Sequence, residues 1–248
     1  QKREFGIYSN RLYKNPMLSE IFIYLVSKLK FLLKKSFYLL INKKPQWRTL
    51  FLKTNNWKTF ELRKGIIVEA DKNHFLADPH IVCIDKKNYI FLEDYNYSSS
   101  KAEIICFKIC EDLISVHKVG SAILEKYHVS FPFTFVFKGN LYLSVESSSQ
   151  KNINIYKKGN DILSWKIISQ PEFQSLIPVD PLIFEMNNKW WLIFGNLESL
   201  NEMYIFYTND PINGEWKPHN QNPVYISSHF SRNGGLIFDQ GKIYRIAQ

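Results

Sequence analysis

Apolar and polar residues alternate in short runs along most of the chain, and one such pattern recurs four times. Each copy has a loop, a Pro or Gly, and two apolar strands around a polar turn, as a β-hairpin requires. The four copies span residues 77–93, 130–146, 179–194 and 232–245. With Pro79, Pro132, Pro181 and Asn233 taken as equivalent, the periods are 53, 49 and 52 residues. A repeat of this length built only from β-type units is typical of a propeller.

Each repeat has room for four strands. A second pair of strands is predicted in the first two repeats, at Ala102–Lys108 with Leu113–Lys118 and at Asn152–Lys157 with Leu163–Ile168. Two further strands are predicted before the repeats, at Trp47–Leu52 and Thr59–Arg63. The predicted fold is all-β, a five-bladed β-propeller over residues 46–248 in which four blades are traceable and the ring is incomplete. We therefore expect the natural protein to continue by at least one blade.

Residues 1–45 are predicted to form a separate segment with a basic amphipathic helix from Leu18 to Ile41. Its apolar positions follow helical spacing: Leu18, Phe22, Leu25, Leu29, Leu32, Phe37 and Leu40. Its lysines lie mostly off that stripe: Lys28, Lys30, Lys34 and Lys35. Four lysines argue against a membrane span. Two interpretations stay open, binding to an anionic membrane surface or packing against the propeller or a neighbouring domain of a longer polypeptide.

Charge and cysteine content restrict the remaining function classes. The chain has 248 residues and a net charge of +9, with an isoelectric point near 9.3. No DNA- or RNA-binding motif accompanies that charge, so no nucleic-acid partner is predicted. Three cysteines do not form a disulfide framework and no ligand set completes a metal site. We expect a reduced, cytoplasmic location, peripheral to the inner face of the membrane, and no metal or cofactor.

The hairpins predict a cluster of charged side chains. A hairpin runs out and back, so its first and last residues lie at the same end. Asp78, Asp180 and Arg232 open hairpins, whereas Glu93 and Glu146 close them. Because equivalent positions of radially arranged blades approach the axis, we expect these five residues to line one axial pocket.

Structural roles compete with this interpretation. Asp78 and Asp180 could cap the backbone amides of tight turns. Arg232 could serve only to neutralise them in an ion cluster. His80 and His128 are candidate ligand-binding residues, with hydrogen-bonded structural histidines as the alternative.

Glu93 and Asp94 together are candidate ligand-binding residues as well. The alternative is that they form a solvated strand end.

An ordered set of short motifs resembles a known family. The motifs are Trp47-Arg48, Phe75–Pro79, Phe91–Asp94, His128–Phe133, Val145–Ser147, Asp180-Pro181, Trp216, Asn222–Val224, Ser231-Arg232 and Tyr244–Gln248. They resemble the N-terminal domain of plant glucosamine inositolphosphorylceramide transferases and its bacterial relatives, which is related to the five-bladed propellers of arabinanases, β-xylosidases and levansucrases. The family's fourth repeat usually reads Ser-Arg-Pro-Ala-Gly, and this chain has Asn233 in place of the Pro.

The resemblance implies roles for several residues. Asp78 matches the general base or nucleophile of the hydrolytic propellers, and Asp180 matches their transition-state stabiliser. The Glu that acts as the catalytic acid of those enzymes is missing, and Arg232 occupies its position. Glu146 is therefore the candidate acid by geometry alone. Guanidinium groups bind phosphate bidentately, which makes Arg232 and Arg245 candidate phosphate ligands.

Two functions follow from these assignments. The first is sugar transfer from a phosphorylated donor, or binding of that donor, in glycoconjugate assembly. The second is a non-catalytic glycan-binding or scaffold propeller. A glycoside hydrolase of the arabinanase or xylosidase type is a further alternative, weakened by the missing acid.

Overall fold

A computed structural model describes residues 15–41, 44, 46–113 and 115–248. The chain divides into two compact units, with the boundary between Trp47 and Arg48. The described residues of the first unit contain one helix, α1 (Leu18–Leu40). At its start the Met17 N–H donates to Glu20 Oε2 at 2.8 Å. Within the described residues, no helix combines the length and hydropathy needed to cross a membrane.

The second unit is built almost entirely from antiparallel strands. They are β1 (Thr49–Phe51), β2 (Ile66–Val68), β3 (His74–Ile84), β4 (Lys87–Asn96), β5 (Lys101–Ile109), β6 (Val116–Ile123), β7 (Ser130–Phe137), β8 (Asn140–Ser147), β9 (Asn152–Lys158), β10 (Trp165–Ser169), β11 (Pro178–Met186), β12 (Lys189–Asn196), β13 (Ser199–Thr208), β14 (Lys217–Pro218), β15 (Tyr225–Ile226), β16 (Asn233–Asp239) and β17 (Lys242–Ala247).

These strands form three larger sheets and two hairpins. The first sheet has the order β3-β4-β5-β6 and the second has the order β10-β9-β8-β7. The third has the order β11-β12-β13-β14, with β15 also paired to β13. The N-terminal hairpin (β1–β2) and the C-terminal hairpin (β16–β17) are separate two-stranded sheets. Except for β15, strands that are consecutive in sequence are neighbours in each sheet, which is the up-and-down order of propeller blades.

The hairpins that open the four repeats share one turn geometry. Each has two central residues with positive φ, between 49° and 75°: Asp85-Lys86, Lys138-Gly139, Asn187-Asn188 and Gln240-Gly241. Positive φ at both positions defines the type I′ turn, whose twist matches that of the flanking strands. The repeat detected in the sequence is therefore a repeat of hairpin structure.

The first strand of each of the three larger sheets carries a bulge near its start. The register shifts enclose Asp78-Pro79, Phe131-Pro132 and Asp180-Pro181. The residue before Pro has positive φ in all three, at 47°, 49° and 53°. Pro fits here because a bulged residue makes no ladder hydrogen bond.

The hydrophobic core lies between successive sheets. Along β4 the side chains alternate, so that Phe91 packs in the cluster with Leu143 and Val145 of the second sheet, and Ile90 packs with Val68 of the N-terminal hairpin. Similar clusters join the second sheet to the third and the third to the C-terminal hairpin. The first strands contact one another in the order β3, β7, β11, β16. The start of every repeat is thereby brought to one region.

Two details of the predicted strands are wrong. Residues 59–63 do not form a strand. A 3₁₀ turn occupies Leu62–Lys64, and the β-branched run Ile66–Val68 after Gly65 forms β2 instead. The strand predicted at Leu113–Lys118 begins three residues later and extends to Ile123.

Candidate functional site

Each of the five residues expected at the axis is placed by the hairpin geometry. Asp78 and Asp180 occupy the bulges of β3 and β11. Glu93 lies beside the first bulge because its cross-strand partner is Ala77. Glu146 lies beside the second bulge, since it pairs with Ser130. Arg232 immediately precedes β16.

Asp78 and Glu93 form a carboxyl pair in the first sheet. Asp78 is half-buried and Glu93 is 7% exposed. A hydrogen bond joins the two carboxyl groups, and the Phe131 N–H also donates to Asp78. Burial, together with the neighbouring Asp78 charge, raises the pKa of Glu93 to about 9. Burial also raises the pKa of Asp78. With its pKa of about 9, Glu93 is protonated at neutral pH.

Asp180 and Arg232 form an ion pair between the third sheet and the C-terminal hairpin. Arg232 Nε lies 2.7 Å from Asp180 Oδ2, and Nη2 lies 2.8 Å from Oδ1. Asp180 is 1% exposed, whereas the Arg232 side chain is 40% exposed. Burial raises the pKa of Asp180, and the guanidinium opposes that shift. Both Asp180 oxygens are thus engaged by one bidentate partner.

Glu146 links the second sheet to the third. Its Oε2 accepts a hydrogen bond from the Asp180 backbone N–H at 2.9 Å. Glu146 is 9% exposed, and burial, followed by the Asp180 charge, raises its pKa to about 7. This carboxyl group is therefore positioned against the Asp180 bulge.

Arg245 and Asn233 support the ion pair from the backbone side. Arg245 donates to the backbone oxygens of Arg232 (3.2 Å) and Phe230 (2.6 Å) and to Asn233 Oδ1 (3.0 Å). Asn233 is fully buried and donates to the Asp180 backbone oxygen at 2.7 Å. Arg245 thus lies on β17, where it holds the backbone around Arg232, and it forms no ion pair with a carboxylate among the described residues. The sequence analysis did not predict the contact of Asn233 with the Asp180 backbone. The sequence signal for it is that Asn233 replaces the Pro of the family's fourth repeat.

His128 lies at the edge of the carboxyl pair. Its Nε2 lies 3.5 Å from Glu93 Oε1, and its ring centroid lies 5.9 Å from that of Tyr95. Burial lowers the pKa of His128. A neutral imidazole is therefore available beside Glu93 near pH 7.

His80 lies close to the site but is held by the second sheet. Its Nε2 lies 2.7 Å from Thr134 Oγ1 and accepts from the Thr134 N–H at 3.1 Å. Burial lowers the pKa of His80 to about 4. These contacts match the structural alternative for this residue.

Asp94 belongs to a different cluster. Because strand residues alternate between faces, Asp94 points away from its neighbour Glu93. It lies 2.7 Å from His74 Nδ1 and 3.9 Å from Lys118 Nζ. Lys118 also lies 2.7 Å from Asp71. The oxygen and nitrogen atoms of Asp71, His74 and Asp94 could also hold a metal ion, since they all lie within 4.8 Å of one another, but the Lys118 ammonium already balances these acids.

A cavity of about 170 Å³ opens beside Asp78. Its lining comes from the first sheet, the second sheet and the C-terminal hairpin, and includes His80, Phe133 and Gly235. Gly235 has a φ of 131°, which an L-residue rarely adopts, and no atom lies within 4 Å of the position that a Cβ would take. Of the five residues predicted to line one axial pocket, Asp78 is the one that lines this cavity.

Comparison with known proteins yields one protein family and a set of similar folds. The family model described as "Glucosamine inositolphosphorylceramide transferase 1, N-terminal" matches residues 66–248. Glucosamine inositolphosphorylceramide transferase 1 of Arabidopsis thaliana is 32% identical over 185 residues, covering 71% of this chain and 24% of that protein. Its counterpart in Oryza sativa subsp. japonica is 28% identical over 184 residues, with the same two shares. The chain thus spans about a quarter of the length of these relatives.

Solved structures of carbohydrate-active propellers share the fold. A GH43 β-1,3-galactosidase aligns with a TM-score of 0.57 at 15% identity, covering 72% of this chain and 41% of that chain. The Bombyx mori GH32 β-fructofuranosidase aligns with a TM-score of 0.59 at 14% identity, covering 74% and 44%. An α-L-arabinofuranosidase from Clostridium thermocellum aligns with a TM-score of 0.53 at 15% identity, covering 70% and 61%.

Proposed function

The chain belongs to the family described as glucosamine inositolphosphorylceramide transferase 1, N-terminal, and we propose that it is a carbohydrate-active, five-bladed propeller domain that transfers sugar from a phosphorylated donor in glycoconjugate assembly. The family name supports the reaction class, and the GH43 and GH32 neighbours support a carbohydrate ligand. The single observation that carries the proposal is the Asp78–Glu93 carboxyl pair, of which Asp78 lines the cavity, next to the Asp180–Arg232 ion pair.

The carboxyl pair supplies both a hydrogen-bond donor and an acceptor. In the proposed complex Glu93, which is protonated at neutral pH, donates and Asp78 accepts. Sugar hydroxyls require both kinds of partner. Because burial removes competing water, these hydrogen bonds are stronger here than at an exposed surface.

Asp78 is the base in the proposed transfer. It accepts the proton of an acceptor hydroxyl, whose oxygen forms a bond to the anomeric carbon of the donor sugar. The bond between that carbon and the phosphate oxygen breaks, and the phosphate leaves with the bonding electrons. No protein acid is needed for a phosphate leaving group. A base in this position contributes about 10²- to 10⁴-fold to the rate.

Arg232 is the proposed contact for the phosphate. Nε and Nη2 are bonded to Asp180, while Nη1 has no hydrogen-bond partner among the described residues. The side chain is 40% exposed, so a phosphate can reach this remaining edge. Asp180 holds the guanidinium in place, and its own charge is neutralised by the same contact.

The geometry gives less support to glycoside hydrolysis. Retaining glycosidases separate their two carboxyl groups by about 5–5.5 Å, and inverting enzymes by more. Asp78 and Glu93 interact directly through their carboxyl groups, so this pair does not have the separation of either class. Glu146, the candidate acid, instead accepts a hydrogen bond from the Asp180 N–H.

A non-catalytic glycan-binding domain is the second candidate. The observation that favours it is the bidentate contact of Arg232 with both oxygens of Asp180. A carboxylate that is fully engaged in this way stabilises a developing positive charge poorly. In this alternative the carboxyl pair only binds the sugar for a separate transferase domain.

Asp78→Asn and Glu93→Gln in the full-length protein distinguish the two candidates. We expect Asp78→Asn to lower the rate of sugar transfer at least 100-fold while sugar binding, measured by calorimetry, changes less than threefold. Glu93→Gln should retain binding because a glutamine amide resembles a protonated carboxyl group. Glu185→Gln, an exposed position on the same strand as Asp180, is the matched control.

Unchanged transfer by Asp78→Asn would exclude a catalytic role and leave the binding domain. Loss of sugar binding in Glu93→Gln at neutral pH would contradict the assignment of the proton to Glu93.

A further inference from the structure

Helix α1 has an apolar face, interrupted by Ser36, that the axial site does not use. Successive residues are rotated by about 100° in an α-helix. That rotation brings one set of side chains into a single sector of about 160°: Leu18, Ile21, Phe22, Leu25, Val26, Leu29, Leu32, Leu33, Phe37 and Leu40. Ile23 and Phe31 lie outside it. A sector this wide is broader than the narrow seam of a two-stranded coiled coil.

Lysines border this face on both sides. Lys28 and Lys35 are seven residues apart and lie along one border. Lys30 and Lys34 are four residues apart and lie along the other. A lysine at the border of an apolar surface extends its methylene stem over that surface and keeps its ammonium in water. The two rows of charge therefore lie at the level where an apolar face meets a polar phase.

Two tyrosines accompany the lysines. Lys28 Nζ lies 5.3 Å from the centre of the Tyr24 ring, and Lys34 Nζ lies 5.5 Å from that of Tyr38. Tyrosine has an apolar ring and a polar hydroxyl, and it is enriched at membrane–water interfaces for that reason. Tyr24 lies next to the Lys28 border, whereas Tyr38 lies on the face opposite the apolar sector, so only the Lys28 border combines a cation and an interfacial aromatic ring.

The net positive charge of the helix predicts a partner surface of negative charge. Four lysines oppose a single acid, Glu20, which accepts from the Met17 N–H in the first turn. The helix has 23 residues and is about 35 Å long, but its charges exclude the apolar profile of a span.

We propose that α1 binds in the plane of an anionic lipid membrane, with its apolar face among the acyl chains and its lysines at the headgroups. An apolar face alone gives weak binding to any lipid, and basic borders add attraction to anionic headgroups. Nucleic acid is a poorer partner, because it would leave ten large apolar side chains without a hydrophobic environment.

Co-sedimentation of the full chain with vesicles tests this proposal. We expect binding to phosphatidylcholine vesicles that contain phosphatidylglycerol and little binding to phosphatidylcholine alone. High salt should weaken the binding, since surface charges are screened beyond about 10 Å at 0.1 M ionic strength. Replacing Lys28 and Lys35 by Gln should lower the partition coefficient about 25-fold, because each lysine near an anionic surface contributes about fivefold.

A charge-matched variant serves as the control. Lys86 and Lys87 lie in and beside the β3–β4 turn, where both are exposed. Replacing this pair by Gln removes the same charge from the second unit (Arg48–Gln248), which we call the strand unit. This change should alter binding less than twofold. Leu25→Asp with Leu29→Asp should abolish binding to both vesicle types and leave the thermal unfolding of the strand unit unchanged.

Three results would overturn the proposal. Equal binding to neutral and anionic vesicles would remove the role of the lysines. A lower unfolding temperature or aggregation of the Leu25/Leu29 variant without lipid would show that the apolar face is buried against protein. The third result is that the parent chain binds transfer RNA but not vesicles, and that the Leu25/Leu29 variant still binds transfer RNA. That result would assign the lysines to nucleic-acid binding.

Discussion

Acidic residues of the strand unit have different environments, because they differ in burial and in the side chains that they contact. Asp78 interacts with the carboxyl group of Glu93, whereas Asp180 is bound by Arg232. Asp94, next to Glu93 in sequence, lies with His74 instead. The repeat could identify Asp78 and Asp180 from their common position. It could not identify their partners, because the reach and direction of a side chain are not encoded in the spacing.

Arg232→Ala should discriminate between charged and neutral ligands. A charge-assisted hydrogen bond contributes about 1.5–3 kcal/mol, so loss of Arg232 should weaken a sugar phosphate or nucleotide sugar about tenfold to 100-fold. The same sugar without phosphate should bind nearly as before. Calorimetry with both ligands measures the difference.

Arg232→Lys controls for damage to the site. It keeps a positive charge beside Asp180, which would otherwise be buried without a partner, but it cannot form the planar fork of a guanidinium. We expect the lysine variant to remain folded and to lose part of the affinity for the phosphorylated ligand. Equal losses for the two ligands would exclude the phosphate contact.

At the scale of elements, the hairpins of the repeat could be predicted and their surroundings only in part. Alternating strands around Asn, Asp and Gly turns are visible in the sequence, and all four hairpins form. The strand predicted at Thr59–Arg63 failed because Gly65 and the β-branched run after it determine where β2 begins. The bulges were not predicted, since Pro indicates only that a ladder hydrogen bond is missing.

Lys86→Gly should stabilise the strand unit. Lys86 is exposed and has a φ of 62°, a conformation that costs a lysine about 1–2 kcal/mol and costs glycine little. After the greater chain entropy of glycine is subtracted, the expected gain is about 0.5 kcal/mol. Urea unfolding of the parent chain and the variant gives the difference.

Lys87→Gly is the matched control for this turn. Lys87 is equally exposed but lies in β4, paired with Ile84. Glycine at a regular strand position should destabilise the unit by about 0.5–1 kcal/mol. If both glycine variants lowered stability equally, the turn geometry would have no energetic consequence.

At the scale of the whole strand unit, the charges gathered by separate sheets couple folding to pH. Asp78, Glu93, Glu146, Asp180 and Arg232 come from positions up to about 150 residues apart in sequence. Their mutual effects on pKa exist only when the first strands meet. The sequence predicts that these groups converge, but the pKa shifts depend on burial, which a single sequence does not give.

The strand unit should lose stability as the pH rises from 7 to 8.5. Glu93 has a pKa of about 9 in the folded protein, against about 4.5 when unfolded, so in this interval the folded state retains a proton that the unfolded state has lost. Stability that is present at low pH is then lost as the pH rises towards the folded pKa, by at most about 1.4 kcal/mol per pH unit for one proton. Glu146, with a pKa of about 7, adds to the loss near pH 7. The lowered pKa of His80, about 4, affects stability only below pH 6.5 and does not contribute in this interval.

Thermal unfolding at a series of pH values should show a decline in unfolding temperature from pH 7 to 8.5. Glu93→Gln should flatten that decline, because glutamine has no proton to lose. A parent chain whose unfolding temperature is constant from pH 7 to 8.5 would show that Glu93 is already ionised in the folded state.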